Sequence, residues 1–117
     1  MFEYNATATR VIDGDTIDAM VDLGFGTWKK IRIRMYGINT PESRTRDLEE
    51  KKRGLAAKAR VEELLTTCSC ITLKSHGAGK FGRCLGELFI ELENEAVNLN
   101  QLLISEGHAI EYFGGKR

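Results

Sequence analysis

From Trp28 to Arg34, apolar and basic residues alternate with the period of two expected of a half-buried β-strand. Met35-Tyr36-Gly37-Ile38-Asn39-Thr40-Pro41-Glu42 carries the chain out of that strand. Gly37 permits close backbone approach, and Pro41 fixes its own φ while keeping Thr40 out of the helical region. The backbone through Asn39 and Thr40 is therefore expected to be extended and rigid. A guanidinium (Arg34), an amide oxygen (Asn39), a backbone carbonyl (Thr40) and a carboxylate (Glu42) fall within nine residues. Such a set suits the handling of a phosphate with a metal ion.

The flanking segments supply neighbours for this strand. Thr7, Thr9 and Val11 alternate with Ala6, Ala8, Arg10 and Ile12, which predicts a first strand over Asn5–Ile12. Asp13-Gly14-Asp15-Thr16 predicts a tight hairpin turn, Thr16–Asp22 a second strand, and Gly24-Phe25-Gly26 the turn into a third strand over Thr27–Tyr36. A three-strand meander can bring the first turn close to the exit of the third strand. Asp47 and Glu50 have the spacing of a capping box. Behind them Leu48, Leu55, Ala57, Val61, Leu64 and Leu65 recur at roughly helical spacing, so one helix face should pack on the sheet. Gly54 argues against continuity near the helix start. Cys70–Ser75 and Arg83–Leu92 read as strands four and five, joined by the loop His76–Gly82. A short extended piece follows Glu93-Asn94-Glu95, and a second helix over Leu99–Glu106 is stopped by Gly107.

This order matches an OB-fold. It predicts a five-stranded antiparallel barrel with a helix between strands 3 and 4 and a second helix after strand 5, as a single domain over residues 1–117. The fold alone implies binding, not chemistry.

At 117 residues the chain can bury a substantial core. No apolar run approaches the ~20 residues of a membrane helix. Met1-Phe2-Glu3-Tyr4-Asn5 shows neither the basic nor the apolar part of a signal peptide. A cytoplasmic location is the expectation, and secretion stays open if a precursor segment is removed. The formal net charge of zero argues against attachment to nucleic acid by bulk charge alone. Residues 1–60 nevertheless hold 12 Lys/Arg against 9 Asp/Glu, so positive charge gathers around the Arg34–Glu42 loop. Cys68, Cys70 and Cys84 are odd in number and lack a metal-ligand pattern, which suits reduced packing residues. His76 and His108 read as surface or packing residues, and Arg32 as a solvated strand residue.

The candidate oxygen ligands are Asp13, Asp15, Asn39, the Thr40 carbonyl and Glu42; the candidate phosphate donors are Arg34, Lys80 and Arg83. Hard oxygens suit calcium or magnesium, not zinc. Four segments then occur in order: Val11-Ile12-Asp13-Gly14-Asp15-Thr16, Arg34 through Glu42, Lys80-Phe81-Gly82-Arg83, and Asn100-Gln101-Leu102-Leu103 ahead of Glu106-Gly107-His108-Ala109. Together they resemble the staphylococcal nuclease (thermonuclease) family over nearly the whole chain.

The resemblance implies a calcium-dependent phosphodiesterase that cleaves DNA and RNA, single strands by preference and without sequence specificity. Residue by residue, it implies that Asp15, Asn39 and the Thr40 carbonyl hold the calcium. It implies that Glu42 orients or deprotonates the attacking water, and that Arg34 and Arg83 bind the reacting phosphate and stabilise its transition state. Lys80 would lie near a terminal phosphate, with Tyr112 and Phe113 beside the nucleotide. Two departures accompany the match. Asn39 stands where the family usually has an aspartate, which removes one ligand charge and lowers the expected calcium affinity. Relatives often continue with another helix beyond the region of Tyr112-Phe113, so this sequence reads as a compact form. The alternative reading is a non-catalytic OB-fold module that binds nucleic acid or protein through a weakened metal site.

Overall fold

The alternating segments form a meander: β1 (Phe2–Asp13), β2 (Thr16–Gly24) and β3 (Thr27–Met35) pair antiparallel in chain order. The computed structural model describes residues 2–67, 70–78 and 83–112. After β3 come β4 (Ile38–Asn39), α1 (Leu48–Thr67), β5 (Cys70–Ala78), β6 (Cys84–Leu92), β7 (Glu95–Asn98), α2 (Leu99–Ser105) and β8 (Ile110–Glu111). The main sheet runs β3-β2-β1-β5-β6-β7, and an additional β3–β6 pairing closes five of these strands into the expected OB-fold barrel. The closing seam is parallel, Ile33 beside Cys84 and Met35 beside Gly86, while the other four barrel pairings are antiparallel.

Inward positions of the strands fill the barrel. Ile17, Ala19 and Val21 of β2, Ile33 and Met35 of β3, Ile71 and Leu73 of β5, and Leu88 and Ile90 of β6 are buried together with Leu99 and Leu103 of α2. Each large aliphatic side chain contributes about 1.5–3 kcal/mol through burial. Gly86 makes room for this packing, since a Cβ there would lie 2.3 Å from Leu73 Cδ1.

The helices start on caps that the sequence supplies. Asp47 Oδ1 accepts from the backbone N–H of Glu49 and Glu50 at 3.0 and 3.2 Å, and Asn98 Oδ1 accepts from that of Gln101 at 3.2 Å.

The packed face of α1 differs from the expected one. Leu48 and Leu55 are exposed at 80% and 46%, and the buried stripe is Gly54, Ala57, Val61, Leu64 and Leu65. The helix also runs unbroken through Gly54. A Cβ at that position would lie 2.4 Å from the Glu42 carbonyl oxygen, so glycine allows the loop to rest on the helix. The β4–β8 pairing was not expected, and two-residue strands carry no periodic signal. Cys70 and Cys84 are free thiols; Cys68 lies outside the described residues.

Arg32 is not a merely solvated residue. It sits opposite Asp18 in the β2–β3 ladder, and its Nε and Nη2 reach the two carboxylate oxygens at 2.9 and 3.3 Å. The hydrogen bond from Arg32 holds the buried Asp18 carboxyl below its ordinary value, outweighing the desolvation that pushes it up. A depressed carboxylate pKa stabilises the fold above the unfolded-state value of about 3.9, and that contribution fades as pH falls through the native value. Arg32→Ala is therefore expected to destabilise the fold near neutrality, by leaving the carboxylate short of donors. The gap from wild type should shrink as the pH drops below 4, which urea unfolding at a series of pH values would read.

Candidate active site

Asp13 pairs with Thr16, which leaves Gly14 and Asp15 as a two-residue turn. Gly14 supplies space here: a Cβ would lie 2.8 Å from Ala57 Cβ and 3.1 Å from Thr40 Cγ2. The turn therefore packs against both α1 and the loop after β3. Main-chain bonds complete the join, with Met35 N–H donating to the Asp15 carbonyl at 2.8 Å.

Asp15 is 8% exposed, and its carboxylate gathers the loop around it. Oδ1 accepts from Thr16 Oγ1 and Oδ2 from the Thr40 N–H, both at 3.0 Å. Arg34 Nη2 lies 3.4 Å from Asp15 Oδ2 and donates to Asn39 Oδ1 at 3.3 Å, while Nη1 donates to the Met35 carbonyl at 2.9 Å. Asp15, Arg34, Asn39 and Thr40, separated by up to 25 positions in sequence, are thus one cluster. Asp13 does not join it. Its Oδ1 accepts from both the Ser43 N–H and the Ser43 Oγ, tying the loop to the turn one step away.

The extended backbone expected around Asn39 arises from β4, whose Ile38 and Asn39 pair with Glu111 and Ile110. Gly37 turns the chain into β4 at φ 79°, and its carbonyl accepts from the Tyr112 N–H at 2.9 Å. Tyr112 is therefore brought to the same loop. Arg83, half-buried, immediately precedes Cys84, the residue beside Ile33 in the barrel seam, so it enters next to the strand that carries Arg34. Glu42 is exposed, with its main chain against Gly54. Lys80 and Phe113 lie outside the described residues.

Two supports for the loop were missed in the sequence. Asn100, 1% exposed in the apolar start of α2, donates through Nδ2 to the carbonyls of Tyr36 (2.7 Å) and Gly86 (3.2 Å) and accepts from Leu88 N–H at 3.2 Å. It satisfies backbone groups where β3 and β6 part. Its signal was a polar residue set among Leu99, Leu102 and Leu103. His76 occupies a β-bulge between Ser75 and Gly77, which re-aims its ring. That ring stacks on Tyr36 at 3.9 Å and 4°, and its Nε2 lies 2.6 Å from Glu87 Oε1. Glu87 Oε2 in turn accepts from Asn98 Nδ2 at 2.7 Å. The β3 exit is thereby held against β5, β6 and β7.

The donor set can be tested against a calcium ion. Asp15 Oδ2 and Asn39 Oδ1 converge on one cationic nitrogen of Arg34, so both oxygens already face a common positive centre. Carboxylate, amide and carbonyl oxygens are the ligands a hard cation takes. Among the described residues no group of three or more His, Cys, Asp or Glu is placed to hold a metal. An ion here would rest on one carboxylate supplemented by neutral oxygens. These are oxygen types that calcium takes as ligands, at a low ligand charge.

The family description Staphylococcal nuclease homologue matches residues 32–117. The chain belongs to this family. A micrococcal nuclease of Shigella flexneri is 27% identical over 115 residues, covering 94% of this chain and 59% of the relative. Protein ParB of Escherichia coli is 27% identical over 94% of this chain and 58% of its own length. Endonuclease YhcR of Bacillus subtilis is 30% identical over 95% of this chain but only 9% of its own length. The chain thus spans less than two thirds of these relatives.

Proposed function

We propose that this protein is a calcium-dependent, sequence-non-specific endonuclease that hydrolyses phosphodiester bonds of DNA and RNA, preferring single strands. The observation that carries the proposal is the convergence of Asp15 and Asn39 on Arg34 beside Thr40, in a chain of the staphylococcal nuclease family. Asp15, Asn39 and the Thr40 carbonyl would hold the calcium, which when bound supplies Lewis-acid stabilisation of a phosphoryl oxygen.

The remaining roles fall to the chain's own residues. Arg34 and Arg83 donate to the non-bridging oxygens of the reacting phosphate and stabilise the charge that grows there. Glu42, exposed at the loop's end, accepts the proton of the attacking water, a contribution typically worth about 10²–10⁴-fold. Lys80 attracts a neighbouring phosphate, and Tyr112 with Phe113 offers aromatic surface to a base. Stacking and phosphate contacts carry little sequence information, so broad substrate tolerance follows.

Cleavage of single-stranded DNA and RNA across calcium concentrations, with a chelator control, tests the proposal. Cleavage should vanish in chelator. Asn39→Asp restores one ligand charge and should lower the calcium needed for half-maximal rate by about tenfold, since charge count is a main lever on affinity. If neither protein cuts at any calcium concentration while oligonucleotide still binds, the chain is a binding module on a nuclease scaffold.

A further inference from the structure

Trp28, Lys30, Arg32 and Arg34 occupy alternate positions of β3, opposite in parity to Ile31, Ile33 and Met35, which face the core. All four therefore lie on the outer face of the barrel. The pattern is more than a solvated edge. Arg32 binds the buried Asp18, and Lys30 and Arg10 also act on that carboxylate, so three cations surround one anion. Asp22, opposite Trp28, has its Oδ1 engaged by the Gly24 N–H at 2.8 Å. Taken together, Arg10, Lys30, Arg32 and Arg34 exceed Asp15, Asp18 and Asp22 by one positive charge, and Lys30 and Arg10 are the cations beyond the Arg32–Asp18 and Arg34–Asp15 pairs. Six residues of strand span about 20 Å, and alternate side chains stand about 6.6–6.8 Å apart. That repeat is comparable to the phosphate spacing of an extended polynucleotide. At the far end Trp28 is 49% exposed.

We infer that the outer face of β3 is a binding track for single-stranded nucleic acid, with a phosphate at Arg34, further phosphates drawn along Lys30 and its cationic neighbours, and a base stacked on Trp28. The inference rests on the nuclease reading, because it starts from the reacting phosphate at Arg34. A periodic polyanion bearing planar rings satisfies both features of the face: cations repeat along it, and an aromatic ring ends it.

Trp28 is the sole tryptophan, so its fluorescence reports occupancy directly. In chelator, where no cleavage is needed, an oligothymidylate of about 12 nucleotides, within the usual ~4–16 of an OB-fold site, should quench it. A dinucleotide is too short to span the track and should not. Lys30→Gln should weaken binding several-fold and lower the magnitude of the salt slope by about one, as expected of a lost phosphate contact. Trp28→Ala should weaken binding of a dye-labelled oligonucleotide by about tenfold, read by anisotropy. The track is wrong if the long oligonucleotide binds by anisotropy with Trp28 emission unchanged, or if both variants bind as wild type does. Failure of the oligonucleotide to bind also overturns it. The calcium-dependent cleavage assay judges the nuclease reading separately, since cleavage can persist without this track.

Discussion

Arg34→Ala is expected to lower the cleavage rate by about 10²–10³-fold, the usual cost of removing one donor aimed at a developing oxyanion. Its side chain is only 16% exposed and holds two oxygens and a carbonyl, so the loss has two parts. The transition state loses a guanidinium, and Asp15 loses the cation beside its nearly buried carboxylate. Arg34→Lys separates them. A lysine keeps a charge near Asp15 but cannot reproduce the planar fork that reaches Asp15, Asn39 and the Met35 carbonyl together. Stability by urea unfolding should recover in the lysine variant more fully than single-turnover cleavage does. Equal recovery of both would mean that Arg34 acts only as a counter-ion.

Gly54→Ala is expected to destabilise the protein by about 1–3 kcal/mol, although alanine improves helix propensity by about 1 kcal/mol at an exposed helical position. The added methyl would meet the Glu42 carbonyl at 2.4–2.5 Å and the Ser43 nitrogen at 2.7 Å. These are backbone atoms, with no flexible side chain to move aside. The helix and loop must separate, and Glu42 moves with the loop. A reduced urea midpoint together with a reduced cleavage rate is the expected pair of results. A stabilised variant would show that the loop does not rest on α1.

Gly54 also shows where the sequence could mislead. In a helical segment a glycine suggests a break, but here it records contact with a loop that is distant in sequence. The strands of the meander and their turns were legible because alternation and Asp-Gly are local signals. The Arg34–Glu42 segment was legible for the same reason: Gly37 and Pro41 restrict the backbone residue by residue. Leu48 and Leu55 misled, because helical spacing identifies a stripe without saying which edge of it meets the sheet. Arg32 and Asp18 became partners only through the β2–β3 register, and His76 reached Tyr36 only through a bulge. Within the candidate site, residue types and spacing pointed to Asp15, Arg34, Asn39 and Thr40. Their shared contacts, and the diversion of Asp13 to Ser43, depend on how the turn packs against the loop.

The central claim is that this cluster, together with Glu42 at the end of the same loop, performs hydrolysis and does more than hold nucleic acid. Glu42→Gln tests it most directly, because the substitution keeps size and polarity at an exposed position while removing the group that accepts a proton. Cleavage of single-stranded DNA at saturating calcium and binding of the same oligonucleotide should be measured side by side. The account predicts cleavage reduced by about 10²–10⁴-fold with binding nearly unchanged. Cleavage at the wild-type rate in Glu42→Gln would contradict it.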